Sequence, residues 1–212
     1  MRGRRRGLFL VLEGLDGAGT TTQSARLARW LAARGRRVHV TAEPSRGPVG
    51  ALVRQVLSRR ITGPEGGDFD PRALALLFAA DRLDHWEGEI RPHLERGEDV
   101  VSDRYVLSSL AYQAVSTGDA AWVAQVNARA PAADLTLFLK VAPAVALRRR
   151  YAASSEREIF EVPAFQRRVH AAYGRALRRL RASGDRVVEV PGHLPVEEVG
   201  RRVADAVEAV LP

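Results

Sequence analysis

The chain predicts a single α/β domain in which a five-stranded parallel sheet is covered by helices on both faces. Three observations carry that prediction. Five strand-sized runs recur along the 212 residues, each separated from the next by segments with helical spacing. Such alternation needs crossover helices, and crossovers make neighbouring strands parallel. Three of the runs also close on acids (Glu13, Glu43 and Asp103), and sheets of this kind bind ligands beyond the carboxyl ends of their strands.

Gly7 to Glu13 is a continuous apolar run ending in an acid, a buried strand. Thr21 to Ala33 places Ala25, Leu27, Ala28, Leu31 and Ala32 on one helical face, and Gly35 suits its stop. Arg37 to Ala42 is rich in β-branched residues and forms the second strand. Val49 to Leu57 is a short helix behind Pro48; Ile61 to Asp70, holding Pro64, Gly66 and Gly67, is a loop. Pro71 opens a long helix to Trp86, with Asp70 as its cap. Val100 to Asp103 is the third strand, and Leu107 to Val115 and Ala120 to Arg129 are helices. Leu135 to Val141 is the fourth strand, closed by Pro143, which starts a helix to Tyr151. Ala153 to Val162 is polar, lacks a core period and reads as a mobile excursion. Phe165 to Ala182 is helical, Arg186 to Val190 is the fifth strand, and Pro195 to Leu211 is the last helix. The domain spans residues 8–212, behind a basic extension over 1–7.

Composition narrows the function. With 46% hydrophobic and 27% charged residues the chain is not disordered. Its longest apolar runs are strand-sized, so no bilayer span is expected. The basic N-terminus meets Glu13 too soon for a secretory signal. Zero cysteines exclude disulfides, thiolate metal sites and a cysteine nucleophile, and fit a reducing, cytoplasmic setting. The net charge of +8 points to anionic partners. Only Lys140 among the 33 basic residues is a lysine, and the arginines are scattered, so a polynucleotide is not expected.

Directly after the first strand stands Gly14-Leu15-Asp16-Gly17-Ala18-Gly19-Thr20-Thr21-Thr22, and then a helix. Glycines let successive amides turn inward around a phosphate, and the helix N-terminus adds partial positive charge. Thr21 sits where a hydroxyl would coordinate the Mg²⁺ of a bound triphosphate. The pattern asks for lysine where this chain has Thr20. Either arginines supply that charge, or the protein binds nucleotide and catalyses poorly.

Asp103-Arg-Tyr-Val-Leu-Ser-Ser-Leu-Ala-Tyr-Gln113 follows another strand. Together with Glu13-Gly-Leu-Asp-Gly-Ala-Gly19 and Phe78-Ala-Ala-Asp-Arg82, it resembles the thymidylate kinase family of P-loop nucleoside monophosphate kinases. The resemblance implies strand order 2-3-1-4-5, a homodimer formed through the Pro71 to Trp86 region, and transfer of the γ-phosphoryl of ATP to dTMP with Mg²⁺. It implies roles for single residues as well. Phe78 matches the aromatic stacked on thymine, and Arg82 and Ser109 match groups at the base edge. Tyr112 matches a wall that crowds a ribose 2′-OH, and Asp16 an acid at the acceptor 3′-OH. Arg104 matches the arginine on the acceptor phosphate, where a guanidinium positions and neutralises together. Asp103 resembles the acid ordering Mg²⁺, and Arg46 an acceptor-phosphate contact, although the Gly-Gly-Thr that often follows the neighbouring proline in bacterial relatives is absent.

The stretch over about 150–162 corresponds to the family's mobile lid. Lids exclude water and bring late charge to the phosphoryl in flight. Arg104, Arg150 and Arg157 are the expected replacements for the missing cation, and adenine is expected near Gly192-His193-Leu194.

Overall fold

At the centre of the sheet lies β1 (Phe9–Gly14), buried at every residue. The computed structural model describes residues 6–153, 159–160 and 162–211. Four further strands flank β1: β2 (Val38–Ala42), β3 (Asp99–Asp103), β4 (Leu135–Lys140) and β5 (Val187–Pro191). All pairings are parallel, in the order β2-β3-β1-β4-β5, as expected. Period two explains why β1 is apolar from Phe9 to Leu12, since both of its faces are covered. Leu10 and Leu12 pack in one cluster with Leu27 and Leu31, while Phe9 and Val11 pack with Ile90 and Leu94.

The helices are α1 (Thr20–Ala32), α2 (Pro48–Leu57), α3 (Pro71–His85), α4 (Arg91–Glu95), α5 (Val106–Thr117) and α6 (Ala120–Val126). They are followed by α7 (Pro143–Ala153), α8 (Pro163–Ala182) and α9 (Val196–Glu208). Asp70 caps α3 as predicted, accepting from the Arg72 and Ala73 amides at 2.7 and 3.1 Å. Those bonds to its carboxylate, the Arg72 guanidinium first, lower its pKa to about 2. The register sets Asp103 beside Leu12 of β1 and Ala42 of β2. Glu13, Glu43 and Asp103 therefore gather at one edge of the sheet.

Three local expectations change. The sequence reading assigns no element between Trp86 and Val100, yet α3 runs on through a π-helical turn (Trp86–Ile90) into α4. Ile90 and Leu94, one turn apart, are buried against β1, and Pro92 is tolerated because it falls in the first turn of α4. The helix expected to reach Arg129 stops at Val126, where the Asn127 side chain folds back and its Nδ2 donates to the Val123 carbonyl at 2.8 Å. The polar excursion over 153–162 is not wholly polar surface. Ile159 and Phe160 pack on the cluster of Val53, Val56 and Leu74, and the Ile159 amide lies 3.4 Å from the Leu57 carbonyl. Residues 154–158 and 161 lie outside the described residues. Among the described residues, no helix is long and apolar enough to cross a membrane.

Candidate active site

The turn between β1 and α1 is shaped by two glycines in left-handed conformation, Gly17 (φ 85°) and Gly19 (φ 96°). A Cβ on Gly17 would sit 2.1 Å from the Ala146 carbonyl oxygen, so the turn lies directly on α7. Gly19 faces open space, and no side chain caps α1. The first-turn amides of α1 have no intrahelical acceptor. They border a cavity of about 500 Å³ lined by Asp16 to Gln23, Asp103, Arg104, Arg149 and Arg150, with Gly192 and Leu194 at its far side. Gly14 and Leu15, expected with the loop, do not line it. Leu15 turns into the core, and the Gly14 carbonyl faces Arg104 and Tyr173.

Thr21 Oγ1 donates to Asp103 Oδ2 at 2.5 Å. Asp103 Oδ1 is buried and has no hydrogen-bond partner among the described residues. One hydroxyl and one carboxylate with a spare oxygen fit a hard divalent cation that takes its other ligands from water and phosphate. No group of three or more His, Cys, Asp or Glu suited to a metal occurs among the described residues.

Arg104 stands at the head of α5 with φ 75°, a conformation costly for any side chain but glycine. Its Nη1 donates to the Gly14 carbonyl (2.9 Å) and to Ser108 Oγ (3.0 Å), and its Nη2 to Asp16 Oδ1 (2.6 Å). Burial opposes its charge, but Asp16 and the neighbouring acids and phenols hold its pKa well above the ordinary value. Asp16 is pinned from three sides, its Oδ2 accepting from Tyr112 Oη (2.9 Å) and Gln166 Nε2 (3.2 Å). Burial first, and Asp16 next, push the Tyr112 phenol far up, so it stays a donor.

A second cavity, about 250 Å³, lies on the other side of Arg104. Phe78, Arg82, Ser109 and Tyr112 all line it, with Glu43, Arg54, Tyr105 and Phe160. Arg82 is 1% exposed, so it is no solvated helix face. Its Nε donates to Glu43 Oε2 (2.9 Å), its Nη1 to the Asn127 side chain, and its Nη2 to Ser109 Oγ (3.1 Å). Ser109 is thus held by Arg82 at the wall of this cavity.

Asp16, Arg104 and Arg150 line both cavities. The structure therefore brings together every expected residue of the site but four: Gly14, Leu15, Arg46 and Arg157. Arg46 is exposed and lines neither cavity, because Ser45 turns inward onto Asp81 and the next side chain faces solvent. Arg54 occupies that wall from α2, where it donates to the Pro44 and Ser45 carbonyls. Arg157 lies outside the described residues. Leu15 is core. Sequence reasoning also passed over Arg149, which donates to the Gly192 carbonyl at 2.8 Å and ties α7 to the loop after β5. Its place in the Arg148-Arg149-Arg150 run was the available signal. Asp81, inside the Phe78 to Arg82 string, serves the β2–α2 turn instead of a ligand. Lys140 is exposed and pairs with Glu189 at 3.2 Å, away from both cavities.

The family model described as thymidylate kinase matches residues 12–203. A protein named probable thymidylate kinase from Pyrobaculum calidifontis is 39% identical over 204 residues, covering 96% of this chain and 97% of its own. The thymidylate kinase of Leifsonia xyli is 39% identical over 205 residues, covering 94% and 93%. That of Bifidobacterium longum reaches 56% identity over 110 residues, 51% and 52% of the two chains. With a family model spanning most of its length and relatives alike from end to end, the chain belongs to the thymidylate kinase family.

Proposed function

We infer that this chain is a kinase that phosphorylates dTMP to dTDP in nucleotide biosynthesis, with ATP as phosphoryl donor. The observation that carries the reading is the junction of the two cavities at Asp16, Arg104 and Arg150. Phosphoryl transfer asks for two phosphates held in line with charge between them, and little else from the protein.

On the donor side, the amides over Gly17 to Thr22 hold the triphosphate, and adenine lies by Gly192 and Leu194. Thr21 and Asp103 would hold Mg²⁺, which neutralises developing phosphoryl charge when bound. Arginines stand in for the absent ammonium at Thr20: Arg104 and Arg150, with Arg149 beside them, and Arg157 of the expected lid. On the acceptor side, Phe78 stacks on the thymine, and Arg82 with Ser109 meets its edge. Asp16 takes the 3′-hydroxyl, and the Tyr112 ring closes the sugar side. Arg104 holds the acceptor phosphate, joined by Arg54 in place of Arg46. The reading carries a cytoplasmic location, where such nucleotide pools are held. It also carries a homodimer through α3, supported by Leu76 and Leu83, two turns apart and 50% and 41% exposed.

A coupled assay with dTMP, ATP and Mg²⁺, run beside dUMP, UMP and dGMP, tests it. Turnover should be highest with dTMP and vanish on chelation of the metal; preference for another acceptor overturns the assignment. Thr20 favours one second reading, a nucleotide-binding relative with weak catalysis. Binding of ATP and dTMP with no dTDP at high enzyme, and a gain of activity on Thr20→Lys, would establish it.

A further inference from the structure

Glu13 lines neither the donor nor the acceptor cavity, and it is fully buried. A buried carboxylate needs its hydrogen bonds met. Here they come from the start of α5, which has no cap of its own: Tyr105 stands at the cap position and offers no side-chain acceptor. Glu13 Oε1 fills that place from another strand, accepting the Tyr105 and Ser108 amides at 2.9 and 3.0 Å. Its Oε2 accepts the Ser108 hydroxyl at 2.6 Å and lies 3.4 Å from Tyr173 Oη.

Each of these contacts leads to Arg104. The Tyr105 amide belongs to the peptide that follows Arg104, so Glu13 fixes the turn in which Arg104 holds its left-handed φ of 75°. Ser108 Oγ, held by Glu13, accepts from Arg104 Nη1 at 3.0 Å. Tyr173 Oη accepts from the same nitrogen at 3.4 Å and donates to the Gly14 carbonyl at 2.9 Å. Backbone and guanidinium are thus gripped from one buried acid, and the phosphate loop is joined to the same grip through Gly14.

We propose that Glu13 is a positioning residue for phosphoryl transfer: it sets Arg104 in the space between the two nucleotides without touching either. This rests on the functional reading above, in which Arg104 meets the phosphates. Glutamine at this position keeps the shape but turns an NH₂ toward groups that are themselves donors, so the grip on Arg104 loosens.

The test is a double-mutant cycle on the full chain, Glu13→Gln and Arg104→Ala, with dTMP and ATP varied in turn. Glu13→Gln should lower kcat about 10- to 100-fold, the range of a lost hydrogen bond to a charged group, and change both KM values less than about 3-fold. On the Arg104→Ala background the same change should cost kcat less than about 2-fold, since the group it positions is gone. Equal losses in both backgrounds, or KM values that rise with kcat unchanged, overturn the proposal. Should Glu13→Gln fail to give a cooperative melt, Glu13→Asp decides. It keeps the charge but withdraws from α5, so the same coupled loss of kcat is expected, and an unchanged kcat overturns positioning. A wild type that forms no dTDP defeats the functional reading itself, an outcome distinct from an active wild type with additive mutants.

Discussion

The two cavities proposed for donor and acceptor share Arg104, yet they are built by different means. Half of the residues lining the donor wall form one contiguous turn over Asp16 to Gln23, bent by Gly17 and Gly19, with the amides of an uncapped helix start along it. The acceptor wall is mostly side chain, gathered from the β2–α2 turn, α2, α3, α5 and the segment at Phe160. Its inner groups are bonded to one another before any ligand arrives, as Arg82 is to Glu43, Asn127 and Ser109. A backbone cradle recognises charge and tolerates change in its side chains. A wall of buried, mutually bonded side chains recognises shape and tolerates little.

The sharpest break of this contrast is Arg82→Ala. It leaves Glu43 and Asn127 buried without their partner, and removing one member of such a pair costs about 3–5 kcal/mol. Urea unfolding should show that loss alongside weaker dTMP binding, with ATP binding held; equal loss of both ligands would mean the two walls are one unit.

Glu13 gives the next effect. Burial, opposed by Arg104 and the bonds from Ser108 and Tyr105, raises its pKa from 4.5 to about 7. The folded chain then binds more protons there than the unfolded chain between those values. Its favourable contribution is complete below about 4.5 and is lost as pH rises through about 7. Relative to Glu13→Gln, wild type should lose up to about 3 kcal/mol of stability between pH 4 and pH 8. Parallel stability curves for the two proteins would show that folding does not raise the pKa of this acid.

The smallest effect expected falls on the donor side. A Cβ at Gly17 meets the Ala146 carbonyl oxygen at 2.1 Å, and its φ of 85° suits glycine. Gly17→Ala should cost about 1–3 kcal/mol of stability and weaken ATP more than dTMP, by isothermal titration. A loss confined to dTMP would reverse the assignment of the cavities.

Legibility in the sequence follows the same division. The phosphate loop, its strand and its helix are contiguous, so glycine spacing and apolar period reveal them together. The Asp103 to Gln113 string is likewise local and short. The helix over Arg91 to Glu95 escaped because Pro92 and a polar surround mask Ile90 and Leu94, whose burial depends on β1 lying above them. Arg46 is what the resemblance at the Pro44 turn implies, whereas the turn inward of Ser45 onto Asp81, which leaves Arg46 in solvent, is a contact across 36 residues.

By itself, then, the sequence determined the five strands and most of the helices in order, the all-parallel sheet, the glycine-rich turn before α1 and the threonine where such turns carry lysine, because each is written in neighbouring residues. Only the tertiary structure decided which arginines line both cavities, that Asp16 is clamped by Tyr112 and Gln166, and that buried Glu13 accepts the amides of Tyr105 and Ser108 beside Arg104. Those depend on groups far apart in the chain meeting at hydrogen-bond distance, and neither period nor motif encodes such meetings.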